Sequence, residues 1–322
     1  MMFESPSIDI VLATYNGEKY ISEQISSILN MNGFSDLIKK IIICDDNSND
    51  RTLSIIESMV PSEKLIILKN KNKNKNNYGP VKNFERGILY SNAEFVMLSD
   101  QDDVWDANKL SIYLTAISSM DREKPILVFS DLEVVDAELN TLSSSFLAHQ
   151  SIPPSWVSDI NNILIQNAAP GCTMLFNRQL VEKALPLSEN CIMHDWWLLL
   201  VAKQLGNVFF INNRLIKYRQ HGKNQVGAKK NGLLQIICNF GKLKNIASKN
   251  LAKTIAQMND FSSKFEYVLN DSTRGKILAW NQCYFGNSGL YKKIYLMKKF
   301  GLRKTSFIKT LGLYYLILFG KK

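Results

Sequence analysis

The stretch Phe95-Val96-Met97-Leu98-Ser99-Asp100-Gln101-Asp102-Asp103 is an apolar run that stops abruptly in three carboxylates. The run reads as a buried strand, and the acids that follow cannot continue it. Three carboxylates within four residues repel one another unless a cation stands among them, and hard divalent ions take oxygen ligands of this kind. An acidic turn capping the helix that begins near Leu110 is the competing reading.

Two upstream runs end in the same way. Ile8 to Ala13 gives way to Thr14-Tyr15-Asn16-Gly17-Glu18, and Ile41 to Cys44 to Asp45-Asp46-Asn47-Ser48. Leu65 to Leu68 reads as a third strand and Phe95 to Ser99 as the fourth. The segments between carry apolar stripes at helical spacing: Ile21, Ile25, Ile28 and Leu29, then Leu53, Ile56 and Val60, then Val81, Phe84, Ile88 and Leu89. This alternation predicts an α/β domain with a mostly parallel sheet, in which ligands sit at the carboxyl ends of the strands. Asp and Asn also cap helices, so Asp45 and Asp46 alone carry either reading. Three polar clusters on one sheet edge point to a site. Neither GxGxxG nor GxxxxGK[ST] occurs, so a bound diphosphate must be held by metal and basic side chains.

Further along, the pattern predicts a helix from Leu110 to Ile117, a strand from Ile126 to Phe129, a long loop over Ser143 to Ser158, a helix from Asp195 to Leu205 and a last strand-like segment at Leu215 to Tyr218. The polar tract Lys69 to Asn77 predicts a solvated, mobile loop. Beyond about Gln225 the strands stop and basic helical segments follow, which divides the 322 residues into 1–225 and 226–322. The net charge of +10 is split unevenly, with 21 Lys and Arg against 26 Asp and Glu up to Gln225, and 18 against 3 beyond it. The acidic first part is not a nucleic-acid reader, whereas the basic, aromatic-rich tail suits an anionic membrane surface or a contact between subunits. Five scattered cysteines without a CxxC pair predict neither a zinc site nor a disulfide framework and favour a reducing compartment. The N-terminus lacks the pattern of a secretory signal, and the longest apolar run, Leu311 to Phe319, falls short of the roughly 20 residues a spanning helix needs.

Thr14-Tyr15-Asn16, Cys44-Asp45-Asp46-Asn47-Ser48 and Leu98-Ser99-Asp100-Gln101-Asp102-Asp103, in this order and spacing, resemble the family 2 inverting glycosyltransferases with the GT-A fold. Within that family, Tyr15-Asn16-Gly17-Glu18, the block from Asp100 to Trp105, His194-Asp195-Trp196-Trp197 and Tyr218-Arg219-Gln220-His221-Gly222 are similar to bacterial rhamnosyltransferase-like members. The match runs from about Ser7 to Gln225.

The resemblance implies a mixed sheet flanked by helices and transfer of a sugar, with inversion, from a UDP- or dTDP-sugar. The acceptor it implies is a hydroxyl of a cell-surface polysaccharide or lipid-linked oligosaccharide, the cofactor Mg²⁺ or Mn²⁺, and the location the cytoplasmic face of the membrane. It gives Thr14, Tyr15, Asn16 and Glu18 the base and ribose pocket, Asp45 and Asp46 the pyrimidine, Lys82 and Asn83 donor contacts, Asp100 the ribose or metal, and Asp102 the metal. Asp195 stands where the family has a Glu-Asp pair, with His194 replacing the first member, and is the implied catalytic base; it also suits an N-cap of its helix. Arg219 and His221 are the groups to close over the diphosphate, His221 as a third metal ligand or an ordinary loop histidine. The Gly171 turn resembles the acceptor-side loop, and Trp196 and Trp197 suit either core or acceptor wall. Two other classes remain: a non-catalytic nucleotide-binding or membrane-associated scaffold, and, against the charge of the first part, a nucleic-acid binder.

Overall fold

The computed structural model describes residues 6–70, 77–222 and 240–319. Most of the expected loop at 69–77, and the expected boundary at Gln225, lie outside the described residues.

The first hundred residues alternate β1 (Ile8–Thr14), α1 (Ile21–Leu29), β2 (Ile38–Asp45), α2 (Thr52–Met59), β3 (Leu65–Lys69), α3 (Gly79–Tyr90) and β4 (Phe95–Ser99). The central strands β1, β2 and β4 are buried almost throughout, as β-branched and aliphatic runs covered on both faces must be. Ile21, Ile25 and Ile28 of α1 join Ile10, Leu12, Ile41, Ile43 and Met97 in one core. β1 pairs in parallel with β2 on one side and β4 on the other, and β2 with β3. Register sets Thr14 opposite Asp45 and Leu12 opposite Ser99, so the polar residues that end the three runs share one edge.

The second half turns the sheet mixed. After β5 (Val104–Trp105) and α4 (Lys109–Ile117) come β6 (Ile126–Val135), β7 (Thr141–Ser143), β8 (Leu175–Asn177), α5 (Arg178–Ala184), α6 (His194–Leu205) and β9 (Asn207–Arg219). The strand order is β3-β2-β1-β4-β8-β6-β9-β5, with β7 on β6. β8 runs antiparallel to both β4 and β6, whereas β6 and β9 are parallel. β6 outruns its apolar segment at its C-terminal end, where Asp131 and Glu133 enter, and β9 outruns Leu215 to Tyr218 at its N-terminal end, where Asn212, Asn213 and Arg214 break the apolar run; register shifts interrupt the ladder at Asp131. The expected loop at Ser143 to Ser158 contains short helical turns at Phe146–His149 and Pro154–Ser158. Residues Trp196 to Ala202 of α6 are all buried, as befits a helix apolar all round.

The chain divides into two compact units. The first holds Met1–His149, Ala169–Leu187 and Met193–Gly227; the second holds Gln150–Ala168, Ser188–Ile192 and Ala228–Lys322. The second unit therefore draws in two segments that precede residue 225. Side chains of its long helix α7 (Phe240–Lys264) hold one of them: Asp260 accepts from the Asn190 amide at 3.0 Å and Gln257 from the Ile192 N–H at 2.9 Å. The unit continues with α8 (Asp271–Tyr284), α9 (Leu290–Lys299) and α10 (Phe307–Phe319), around a core that includes Ile255, Met258, Phe261 and Trp280. No helix among the described residues is long and apolar enough to cross a membrane.

Candidate active site

The ends of β1 and β2 form one hydrogen-bonded corner. The Thr14 hydroxyl donates to Asp45 at 3.0 Å, and the same carboxylate accepts from the N–H groups of Asn47 and Ser48. Asn16, at φ 48°, donates its N–H to Ser48 Oγ at 3.0 Å and accepts from the Asn49 N–H at 2.9 Å. Glu18 accepts from the Arg51 backbone and side chain. Asp46 accepts from the Asn70 amide and from the N–H groups of Tyr78 and Gly79 at 2.8 and 2.9 Å, so it organises the entry to α3. Tyr15 is exposed here, its backbone N–H and C=O both bonded to the side-chain amide of Gln101 at 2.8 and 3.1 Å.

At the end of β4 the balance differs. Asp102 Oδ2 lies 2.8 Å from His221 Nε2, which brings together the two residues expected to hold a metal. Burial first, then Asp102 and Asp195, push the Asp100 carboxyl up to about 7. Asp103 is fully buried, and one of its oxygens has no hydrogen-bond partner among the described residues. Asp100, Asp103 and Cys172 offer ligand atoms within 4.8 Å of one another. Crowded carboxylates with unused oxygen and an imidazole alongside fit a hard divalent cation.

Asp195 lies in the first turn of α6. The residue preceding the helix is Met193, so Asp195 is not the N-cap that its sequence position also allowed. Its Oδ2 accepts from the Gly171 N–H at 3.0 Å. A Cβ at Gly171 would meet His194 Nε2 at 2.9 Å and Asp195 Cβ at 3.4 Å, so only glycine admits this approach. His194 itself is buried against Phe84, with ring centroids 4.1 Å apart, and burial holds its pKa down to about 3.

Three expectations, for Arg219, Asn83 and Trp197, take a different form. Arg219 is 1 % exposed and its guanidinium is committed inside the fold: Nε donates to the Asp102 carbonyl at 2.9 Å, Nη1 to the Ala137 carbonyl, and Nη2 to Glu23 at 2.7 Å. It holds the backbone of Asp102 where a diphosphate contact was expected. Asn83 is buried, donates to the Cys44 carbonyl and accepts from Arg86 at 3.0 Å, so it braces the end of β2. Lys82 pairs with Glu85 at 2.7 Å. Trp197 is fully buried with its indole N–H on the Ala184 carbonyl, which makes it core and no acceptor wall; Trp196 is 8 % exposed. Gln101 and Lys109 are the residues that sequence reasoning missed. Lys109, fully buried, donates to the Cys172 carbonyl at 3.0 Å.

A mixed sheet whose strand-end edge gathers these groups has the architecture of the GT-A nucleotide-sugar transferases. The likeness to solved structures shows the same fold: Staphylococcus aureus TarS, residues 1–349, at a TM-score of 0.57 and 15 % identity over 97 % of this chain and 81 % of that one. The mannosyltransferase PcManGT of Pyrobaculum calidifontis, in complex with GDP-Man and Mn²⁺, gives 0.54 and 12 % over 98 % and 86 %. Residues 9–155 match the glycosyl transferase family 2. The chain is 28 % identical over 284 residues to the dTDP-rhamnosyl transferase RfbG of Shigella flexneri, covering 83 % of this chain and 89 % of that one. It is also 28 % identical over 217 residues to the UDP-Glc:alpha-D-GlcNAc-diphosphoundecaprenol beta-1,3-glucosyltransferase WfgD of Escherichia coli, covering 66 % and 76 %. Residues 9–155 thus carry the match to glycosyl transferase family 2, and the curated relatives to which the chain is similar over most of their length are glycosyltransferases.

Proposed function

We propose that this chain is a family 2 glycosyltransferase that transfers its sugar with inversion, from a dTDP- or UDP-sugar to a hydroxyl of a surface glycan or lipid-linked oligosaccharide, with Asp195 as the general base. The observation that carries this is the Asp195 carboxylate, fixed by the Gly171 N–H and close enough to the β4 carboxylates to raise Asp100. The acceptor oxygen attacks the anomeric carbon from the face opposite the diphosphate. The carbon–oxygen bond to the diphosphate breaks with its electron pair leaving on that oxygen, and the hydroxyl proton passes to Asp195. Asp102 and His221, with Asp100, would hold Mg²⁺ or Mn²⁺, which when bound offsets negative charge on the leaving group. Thr14, Tyr15, Asn16, Glu18, Asp45 and Asp46 form or shape the nucleotide corner. The likeness to RfbG favours dTDP-rhamnose as donor, and the likeness to WfgD favours an acceptor on a diphospho-lipid.

Asp195→Asn, assayed with Mn²⁺ against a panel of dTDP- and UDP-sugars, is expected to lose about 10²- to 10⁴-fold in turnover while still binding the donor. Equal loss of donor affinity and turnover would make Asp195 a binding residue, and retained turnover would remove it from the reaction.

Residues 1–225 carry this chemistry in our reading, and the basic helical region beyond rests on anionic lipid at the cytoplasmic face. On α10, Phe307, Ile308, Leu311, Tyr315 and Phe319 are exposed along one stripe, with Lys298, Lys299, Arg303, Lys304 and Lys309 nearby in sequence. An apolar stripe among cations matches the interface of an anionic bilayer, where each basic residue contributes about 1 kcal/mol. Replacing Phe307, Leu311 and Phe319 together by Ser should release the enzyme from phosphatidylglycerol vesicles and leave donor hydrolysis intact. Undiminished vesicle binding, or conversion of a dimer to monomers by the same change, would overturn this surface assignment.

A further inference from the structure

Lys109 opens α4, and its ammonium lies wholly inside the protein. Nζ donates to the Cys172 carbonyl at 3.0 Å and sits 3.2 Å from the centre of the Trp105 ring, with the Tyr113 ring 5.7 Å away. One turn further along α4, the buried Tyr113 hydroxyl donates to the next carbonyl of the same segment, that of Thr173. A single helix thus grips two successive carbonyls of one turn. That turn is closed on itself by the N–H of Thr173 on the Pro170 carbonyl and that of Met174 on the Gly171 carbonyl, at 3.0 and 2.9 Å. At its other end it presents the Gly171 N–H to Asp195.

Stability gives no reason for a cation in this place. Taking an ammonium out of water costs more than filling the same volume with an apolar side chain, and a buried charge is commonly replaced by such a side chain without loss. Burial draws the Lys109 amine down to about 7, and Cys172 and the buried Asp103 act against that shift. The Cys172 carbonyl and the two ring faces form a fitted socket around the Lys109 amine.

We propose that Lys109, assisted by Tyr113, is a positioning residue for sugar transfer: by fixing the Gly171–Thr173 turn it sets the place from which the Gly171 N–H holds the Asp195 carboxylate. The inference rests on Asp195 being the base, and it adds the elements that aim it. A misplacement of about 1 Å at a reacting group can cost about 10²-fold in rate, so a support this close to the turn acts on turnover.

Full-length Lys109→Met, Tyr113→Phe and Asp195→Asn proteins, and the Lys109→Met/Asp195→Asn double variant, test it. Binding of dTDP and UDP with Mn²⁺ is measured by calorimetry, transfer kinetics by steady state and Tm by scanning. Lys109→Met should keep Tm at or above the parent value and keep nucleotide affinity and donor KM within about twofold, while kcat falls about 10- to 100-fold. Tyr113→Phe should follow in the same direction, less steeply, and Lys109→Met should add nothing once Asp195 is Asn. Parental kcat in Lys109→Met, or nucleotide affinity and kcat lost in equal measure, would overturn the proposal. Should Lys109→Met fail to fold, the same two readouts on Tyr113→Phe decide. An inactive Asp195→Asn beside fully active Lys109→Met and Tyr113→Phe defeats this inference alone, whereas an active Asp195→Asn defeats the base assignment beneath it.

Discussion

At the end of β2, the carboxylates of Asp45 and Asp46 accept six hydrogen bonds from Thr14, Asn47, Ser48, Asn70, Tyr78 and Gly79. At the end of β4, Asp102 meets His221, Asp103 meets the Arg219 N–H at a long 3.3 Å, and a buried oxygen of Asp103 is unpartnered among the described residues. The residue type and the position on the sheet edge are the same. The difference lies in what the backbone offers each. Donors around Asp45 and Asp46 turn negative charge into a brace for two loops, whereas burial and mutual repulsion around Asp100, Asp102 and Asp103 leave charge that a cation can relieve.

Exchanging one carboxylate for an amide in each place breaks this contrast most sharply. Asp102→Asn should lower transfer by about 10²-fold or more and abolish the Mn²⁺ dependence of nucleotide binding, while Tm holds or rises because a poorly compensated charge is gone. Asp46→Asn turns an amide NH₂ toward N–H groups that need an acceptor, and should cost about 1–3 kcal/mol of stability. Its nucleotide binding should weaken yet remain Mn²⁺ dependent. Calorimetry with and without Mn²⁺, run beside thermal unfolding, reads both; the opposite assignment of stability loss and metal dependence would reverse the division drawn between the two strands.

His194 offers a smaller effect that sharpens the same comparison. It is a buried polar ring whose two nitrogens have no hydrogen-bond partner among the described residues. Its folded pKa of about 3 lies below the ordinary 6.5, so the unfolded chain takes up a proton that the folded protein refuses. Stability therefore falls as pH drops from about 6.5 toward 3, by at most about 1.4 kcal/mol per pH unit from this group. His194→Phe, which keeps a ring against Phe84, should flatten that part of the stability–pH curve. An unaltered acid limb would show that His194 is not the group responsible.

The sheet was legible where the chain is apolar on both faces: β1, β2 and β4 fall within a few residues of their runs. β6 and β9 were half visible, since Asp131 and Glu133 in the later part of β6 and Asn213 and Arg214 in the earlier part of β9 hide a strand from any search for apolar runs. At the site, the acid clusters were legible as chemistry but not as geometry. Nothing in Asp46 or Asn83 announces that its polar atoms face the backbone of another loop, and Arg219 reads as a free cation until Glu23 and Ala137 are brought to it by the fold. Lys109 had a local signal. Tyr113 stands four residues on, one turn along α4, where helical spacing brings its ring toward Lys109; Trp105 lies in β5, and its approach to Nζ is made by the fold.

The bidentate hold of Gln101 on the Tyr15 backbone has a consequence for anyone altering this enzyme. A Cβ at Gly17 would lie 2.4 Å from Gln101 Oε1, so a side chain there displaces the Gln101 amide and with it both of its bonds to Tyr15. Tyr15, Gly17 and Gln101 thus work as one unit: a larger residue at position 17 should loosen the loop after β1 unless position 101 is refitted with it.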